Sequence, residues 1–400
     1  MNNHKKLLLI LGAIVAIGPL SIDMYLPALP ALQGYFNTDA STVQLSLASY
    51  FIGLAVGQLV YGPISDRVGR LGPLRFGLIV YILASIACAV ATSAEALVWL
   101  RLLQALGGCA GMVIVRAIVR DRFEPQEMAQ VLSTLVLIMG LAPILAPLMG
   151  SQILVYFGWQ AIFIVLACFG LFCLLLVMRG MEETWQPPEK LLTGREILST
   201  YARLLCHRRF MGFALSGGIA QAGMFAYIAA SSFVYIQVYG VSTTDFGWYF
   251  GANAAGLIIA SQTNARLLRR YRAEHILHFV LAFNACCGLL MLGLILADIG
   301  GLWGVALPLF AAISSLGFTF PNSTAAAMAP FGDRAGMAAA LLGTLQFSLA
   351  AMASVAVGWL HDGTALPLAA VISVCGITSV VIMRVMVGAT TTEALRHNRD

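Results

Sequence analysis

Apolar runs recur along the whole chain, each long enough to form a helix that crosses a membrane. They can be drawn at 7–34, 43–61, 74–93, 96–118, 128–151, 159–179, 210–236, 245–267, 275–297, 302–322, 334–358 and 365–387. About 20 apolar residues in a helix span a hydrocarbon core of ~30 Å. Inside lipid every backbone polar group needs an internal partner, so a chain built this way folds as a bundle of helices. The alternative, a soluble fold, is excluded by composition. Only 10% of the 400 residues are charged and 60% are hydrophobic, against about 25% charged in a soluble domain. Mean hydropathy is +0.87. The chain reads as an all-α integral membrane protein with twelve transmembrane helices.

Charge sets the orientation. Of the 23 Lys and Arg, all but Arg101 and Arg116 fall in alternate connections, which become cytoplasmic if the N-terminus is cytoplasmic. These include Lys5, Lys6, Arg67, Arg70, Arg120, Arg122, Lys190, Arg208, Arg209, Arg334, Arg384, Arg396 and Arg399. The opposite loops carry Asp39, Glu95, Asp245, Asp298 and Asp362 and no basic residue. That asymmetry is the positive-inside pattern, and it puts both termini in the cytoplasm. It also explains the net charge of +5 without nucleic acid, since no basic stripe with interleaved aromatics is present. The first run follows Lys5 and Lys6 and exceeds a signal peptide's 7–15-residue core, so it reads as an uncleaved first helix. None of the eight Cys makes a C-x-x-C pair, and neither a metal site nor a disulfide framework is expected.

The longest hydrophilic stretch lies midway. It contains Pro187-Pro188, then Thr193 and Glu196 at capping-box spacing. Ile197, Leu198, Tyr201, Leu204 and Leu205 follow at helical spacing, which predicts a short amphipathic helix on the cytoplasmic face. The expected organisation is an N-terminal six-helix half (1–179), a linker (180–209) and a C-terminal six-helix half (210–400), pseudo-symmetric around a central cavity.

Asp23 lies within the first run, and no other Asp or Glu falls in the interior of any run. An ionisable group at membrane depth is costly and marks function by default. No His lies deep in a run, so Asp23 is the expected proton carrier. Arg101 is the other deep charge of comparable interest, and a link between the two is expected. Arg101 and Gln104 share a helical face. Arg116 lies ~22 Å further along that helix; it reads equally as an anchor reaching the interface or as a charge at a cavity mouth.

Three motifs resemble signatures of the major facilitator superfamily. Gly62-Pro63-Ile64-Ser65-Asp66-Arg67-Val68-Gly69-Arg70 matches G-x-x-x-D-R-x-G-R and is expected to form a tight cytoplasmic gating turn, with the arginines available to Asp121 or lipid phosphate. Arg101 to Ala105 resembles R-x-x-Q-G, with Ala105 in place of Gly. The stretch from Gly140 through Pro143 and Pro147 to Gly150 resembles the kinked helix of antiporters. The start, Pro19 to Pro30, together with Gly57 to Pro63, Gly223 to Phe225, Phe233 to Ile236 and Phe246 to Phe250, resembles the Bcr/CflA drug-resistance transporters over essentially the whole chain.

The resemblance implies a bacterial inner-membrane antiporter. It would exchange protons for small-molecule drugs of bicyclomycin, phenicol or sulfonamide type, with lipid as solvent, no cofactor and a monomeric state. Some related exporters carry a second acid where this chain has Val15, leaving one carboxylate for coupling. In this fold the first, fourth, seventh and tenth spans line the cavity. Expected substrate contacts are Asp23, Tyr50, Arg101, Gln104, Gln221, Phe225, Ser232, Asn253 and Phe318. Competing readings are an exporter of a sugar or endogenous metabolite, a proton symporter, a membrane-embedded enzyme and a non-transporting receptor. The enzyme reading lacks clustered nucleophiles, bases or ligands at one depth.

Overall fold

The computed structural model describes residues 2–185, 193–331 and 335–388. Pro187, Pro188, Lys190, Arg334, Arg396 and Arg399 lie outside the described residues.

The first apolar run forms α1 (Asn2–Asp23), a 3-10 turn (Leu26–Ala28) and α2 (Leu29–Phe36). The following helices are α3 (Ala40–Val68), α4 (Leu71–Ala89), α5 (Ala94–Arg122), α6 (Pro125–Phe157) and α7 (Trp159–Gly180). Then come α8 (Gly194–Cys206), α9 (Arg208–Ser232), continued by a π-helical stretch (Phe233–Val238), and α10 (Thr243–Leu267). The chain finishes with α11 (Ala273–Leu296), α12 (Gly301–Met328), α13 (Ala335–Trp359) and α14 (Leu366–Ile382). Among the described residues, 11 helical segments are long and apolar enough to cross a membrane. α10 has the length, but Asn253, Gln262 and Asn264 make it less apolar.

Several helices outlast their apolar runs. α3 continues through Asp66 and Arg67, and α5 through Arg120 and Arg122. Hydrogen bonding along a helix does not stop where hydropathy does, so its last turns emerge with polar side chains. The helix starts follow local chemistry. Asp39 accepts from the Thr42 N–H at 2.7 Å and Ser93 from the Ala96 N–H at 3.1 Å. Both are side-chain N-caps.

Two compact units divide the chain: residues 1–191 with 231–251, and residues 192–230 with 252–400. In the first, α5 packs against α3 and α4, α4 against α7, and α1 against α6. Small residues permit this closeness: a Cβ at Gly107 would lie 2.5 Å from the Tyr81 nitrogen. In the second, α11 packs against α12 and α14. Asn284 of α11 donates to the Ala312 carbonyl (2.9 Å) and the Ser315 hydroxyl (3.0 Å) of α12.

α8 has the predicted capping box. The Thr193 N–H donates to Glu196 at 2.7 Å, and the Glu196 N–H donates to the Thr193 hydroxyl at 3.3 Å. Leu204 is buried against its own unit, while Leu198 and Leu205 stay exposed, as in a helix with an apolar face left for lipid.

Candidate functional site

Asp23 occupies a break in a spanning helix. Pro27 has no N–H to donate to the Asp23 carbonyl four residues earlier, and its ring crowds that carbonyl. α1 accordingly ends at Asp23, and the chain turns through Met24 and Tyr25 before helical geometry resumes. Asp23 is only 4% exposed. A break at this depth leaves carbonyls without helical donors, and neighbouring elements must satisfy them.

Arg101 does so. Fully buried on α5, it donates through Nη2 to the Ser21 carbonyl at 3.0 Å and through Nη1 to Gln104 Oε1 at 2.6 Å. Its guanidinium carbon sits 4.5 Å from the Tyr25 ring centroid and 4.2 Å from that of Tyr50, within reach of cation–π attraction. Gln104 donates onward to the Ser85 hydroxyl at 2.7 Å. Ser21 pairs with the Tyr81 hydroxyl at 2.7 Å and donates to the Ile17 carbonyl at 2.7 Å. The network therefore ties the helix break to α4 and α5.

The expected Asp23–Arg101 link takes a different form. Among the described residues no ion pair joins them; the guanidinium's bonds go to Ser21 and Gln104. A freed backbone carbonyl is a strong acceptor that no inventory of side chains reveals. Ser21 was missed for that reason, although it stands inside the quoted first-span motif, whereas Tyr81 and Ser85 enter through side-chain hydroxyls that only the packing of α4 brings to the network.

Of the four residues of the span-five motif, Gly150 reaches this site. A Cβ at Gly150 would collide with the Met24 carbonyl, so glycine lets α6 approach the break. α6 runs as one helix through Pro143 and Pro147; Pro147 is buried, and Gly140 and Pro143 are half-buried.

The candidate gating residues form a second cluster. Gly62, Asp66 and Arg67 belong to the last turns of α3, so only Gly69 and Arg70 make the turn to α4. Gly62 lies in the helix with open space around it, outside the expected turn, and takes no unusual backbone conformation. Gly69 alone needs it, with φ +98°. Arg70 is buried; its Nε meets Asp121 at 2.8 Å and its Nη1 meets Asp66 at 2.6 Å.

Sequence reading missed Glu183, which follows α7. Its carboxylate accepts from the backbone N–H groups of Arg70 and Leu71, both at 3.0 Å, and so caps α4. It also accepts from Thr184 (3.0 Å) and Trp185 (3.1 Å), while the Trp185 indole donates to the Asp66 carbonyl at 2.9 Å. Desolvation pushes the Glu183 carboxyl upward, but the Leu71, Arg70, Trp185 and Thr184 N–H groups together hold it below its ordinary value. A depressed carboxyl stabilises the fold above its unfolded pKa, and that stabilisation is lost as pH falls through the folded value. Glu183→Gln is expected to cost up to ~1 kcal/mol near pH 7, limited by solvent screening. Thermal unfolding checks this: the gap to wild type should close as pH drops below the ordinary carboxylate range.

In the second unit, Phe225 is buried 6.0 Å from the Phe347 ring, and the buried Gln221 Oε1 has no hydrogen-bond partner among the described residues. Asn253 donates to the Tyr227 hydroxyl at 2.8 Å. Phe318 lies elsewhere, in a groove with α11 residues. Ser232, assigned to the first unit, is fully buried. Arg116 turns its Nε back one helical turn to the Met112 carbonyl at 3.0 Å.

Residues 11–355 match the family model described as Major Facilitator Superfamily. The chain belongs to that superfamily. It is 36% identical over 380 residues to the Bacillus subtilis protein named "Uncharacterized MFS-type transporter YdgK", covering 94% of each chain. It is 30% identical to the Haemophilus influenzae "Bicyclomycin resistance protein homolog", covering 95% of this chain and 96% of that one. The second of these names agrees with the Bcr/CflA resemblance. A crystal structure of the peptide transporter POT in complex with sulfate superposes with TM-score 0.78 at 15% identity, covering 97% of this chain and 94% of that one, which shows a shared fold. The superfamily member is thus a multi-pass membrane transporter and not an enzyme.

Proposed function

We propose that this transporter exports small-molecule drugs from the bacterial cytoplasm by drug:proton antiport, with twelve spans, both termini cytoplasmic and a monomer as the working unit. The observation that carries the reading is a buried carboxylate at a helix break, the one acid buried among the described residues, beside a guanidinium whose two Nη groups are engaged elsewhere. In transporters, discontinuous helices bring polar backbone and side chains to the midplane, where substrate and coupling ion bind. The name of the Haemophilus influenzae relative supports drugs of bicyclomycin type over sugars or endogenous metabolites, and the Bcr/CflA resemblance extends the proposal to phenicols and sulfonamides.

Asp23 would take a proton from the periplasmic side and release it to the cytoplasm. Arg101 would hold the broken helix in shape and leave Asp23 free to titrate. Desolvation favours the neutral acid, and opening to water favours the anion. Alternating access supplies both environments in turn. The turn at Asp66, Gly69 and Arg70, braced by Asp121, would serve as the cytoplasmic gate, and the α6 prolines as the antiporter bend. Substrate would meet a mainly apolar cavity with a few polar fixers, with Phe225 in the apolar wall and Gln221 among the fixers. Arg116, whose Nε is held one helical turn back at the Met112 carbonyl, would be the charge at the cavity mouth.

The deciding measurement uses inverted vesicles acidified by respiration. Adding bicyclomycin should release luminal protons in vesicles that contain the protein; drug-induced acidification would indicate symport and sink the reading. Separately, Gln221→Ala and Phe225→Ala are each expected to weaken drug binding about tenfold, as lost apolar and polar contacts of ~1.4 kcal/mol would. Unchanged affinity by titration calorimetry in both removes the pair from the site.

A further inference from the structure

The α3–α4 turn has a counterpart in the second unit, between α10 and α11, and the two differ in how their arginines are treated. In the first, Arg70 is neutralised by Asp66 and Asp121. In the second, Arg266, Arg269, Arg270 and Arg272 lie within seven residues, all exposed, and none has an ion pair among the described residues. The acid of the first motif is absent. Glu274, the nearest one in sequence, already accepts from Arg209 at 2.6 Å. Asn264, in the last turns of α10, is buried and paired with Asn322 at 2.8 Å.

Beside these arginines opens an apolar groove of about 540 Å³ between the end of α10, α11 and α12. Tyr271 and His275 line it, as do Phe279, Phe283 and Phe318 deeper along the helices. Phe279 is 73% exposed. The Oγ of Ser314, also in the lining, is buried without a hydrogen-bond partner among the described residues.

We infer that this is a binding site for one anionic phospholipid, its phosphate on the arginines of the α10–α11 turn and an acyl chain in the adjoining groove. The argument is complementarity at both ends. A soluble anion would use only the arginines, and an apolar drug only the groove; an anionic phospholipid uses both. Basic sites between membrane helices on the cytoplasmic side suit such headgroups, and that is the side to which the proposed topology assigns this turn. The unpartnered Ser314 hydroxyl offers a donor to an ester carbonyl.

The test uses the purified full-length protein in neutral detergent, with acyl-labelled phosphatidylglycerol and phosphatidylcholine as probes. Each arginine near a lipid phosphate is expected to contribute roughly fivefold in affinity. Wild type should therefore prefer phosphatidylglycerol, and the Arg269→Gln/Arg270→Gln/Arg272→Gln triple variant should lose about a hundredfold of that preference. Filling the groove with Ala311→Trp should weaken both lipids and leave their ratio intact. Excess inorganic phosphate should not compete. Equal affinity for the two lipids in wild type, an unchanged preference in the triple variant, or displacement by inorganic phosphate overturns the inference. Ala311→Trp that blocks a drug but neither lipid overturns it in favour of the drug. If the triple variant melts early, the corresponding Lys variant should keep the preference; losing it counts against the site. Binding is read without substrate or gradient, so it stands or falls apart from the antiport reading.

Discussion

Asp23→Asn is expected to abolish drug accumulation in inverted vesicles driven by a proton gradient, while downhill drug exchange continues. A proton moved through 100 mV supplies ~2.3 kcal/mol, which supports a concentration ratio of about fortyfold. Asparagine keeps the shape and hydrogen-bonding capacity of the side chain but carries no proton at neutral pH. With the only carboxylate interior to the apolar runs removed, the ratio should fall to about one. In a pump-deficient strain the variant should confer no more resistance than an empty vector. Asp23→Glu keeps a titratable group and should retain part of the activity. Full gradient-driven uptake by Asp23→Asn in vesicles would refute Asp23 as the proton carrier.

The second large effect is expected at Arg101. Truncation to alanine removes the donors to the Ser21 carbonyl and Gln104 Oε1 in a fully buried place. Each orphaned buried acceptor costs about 1–3 kcal/mol, so Arg101→Ala should lose ~4 kcal/mol of stability before any cavity term. Lysine should not rescue it. A single ammonium carries a charge but lacks the planar fork that donates to two acceptors while staying within cation–π reach of the Tyr25 and Tyr50 rings. Thermal unfolding and resistance assays check both variants. An Arg101→Lys protein with wild-type stability and transport would show that charge alone matters, and that the helix break does not depend on the guanidinium.

The difference between these residues explains what could be read in advance. Asp23 stood out because a carboxylate in an apolar run is a local anomaly. Arg101 stood out for the same reason, but its partner did not. The Ser21 carbonyl is available only because Pro27 ends α1, and only the packing of α5 against that break assigns the guanidinium to it. Glu183 falls in the linker, where nothing local marks it. It became a helix cap because α7 returns it to the Gly69–Arg70 turn, more than a hundred residues earlier in the chain. Phe318 looked like a cavity aromatic because it lies on the tenth apolar run; its rotation around α12 puts it in the groove with α11 instead.

The sequence by itself determined the solvent, the helical class, the superfamily and the candidate proton carrier. Hydropathy, proline positions and isolated charges are properties of short stretches, and the membrane's demand for internal hydrogen bonds leaves those stretches little choice but helix. Only the tertiary structure decided who satisfies the broken helix, which glycine lets α6 reach it, and which arginines keep an acid partner. Those are outcomes of distance between elements far apart in the chain, and in a low-dielectric interior a shift of one hydrogen bond's length decides whether a buried polar group is satisfied.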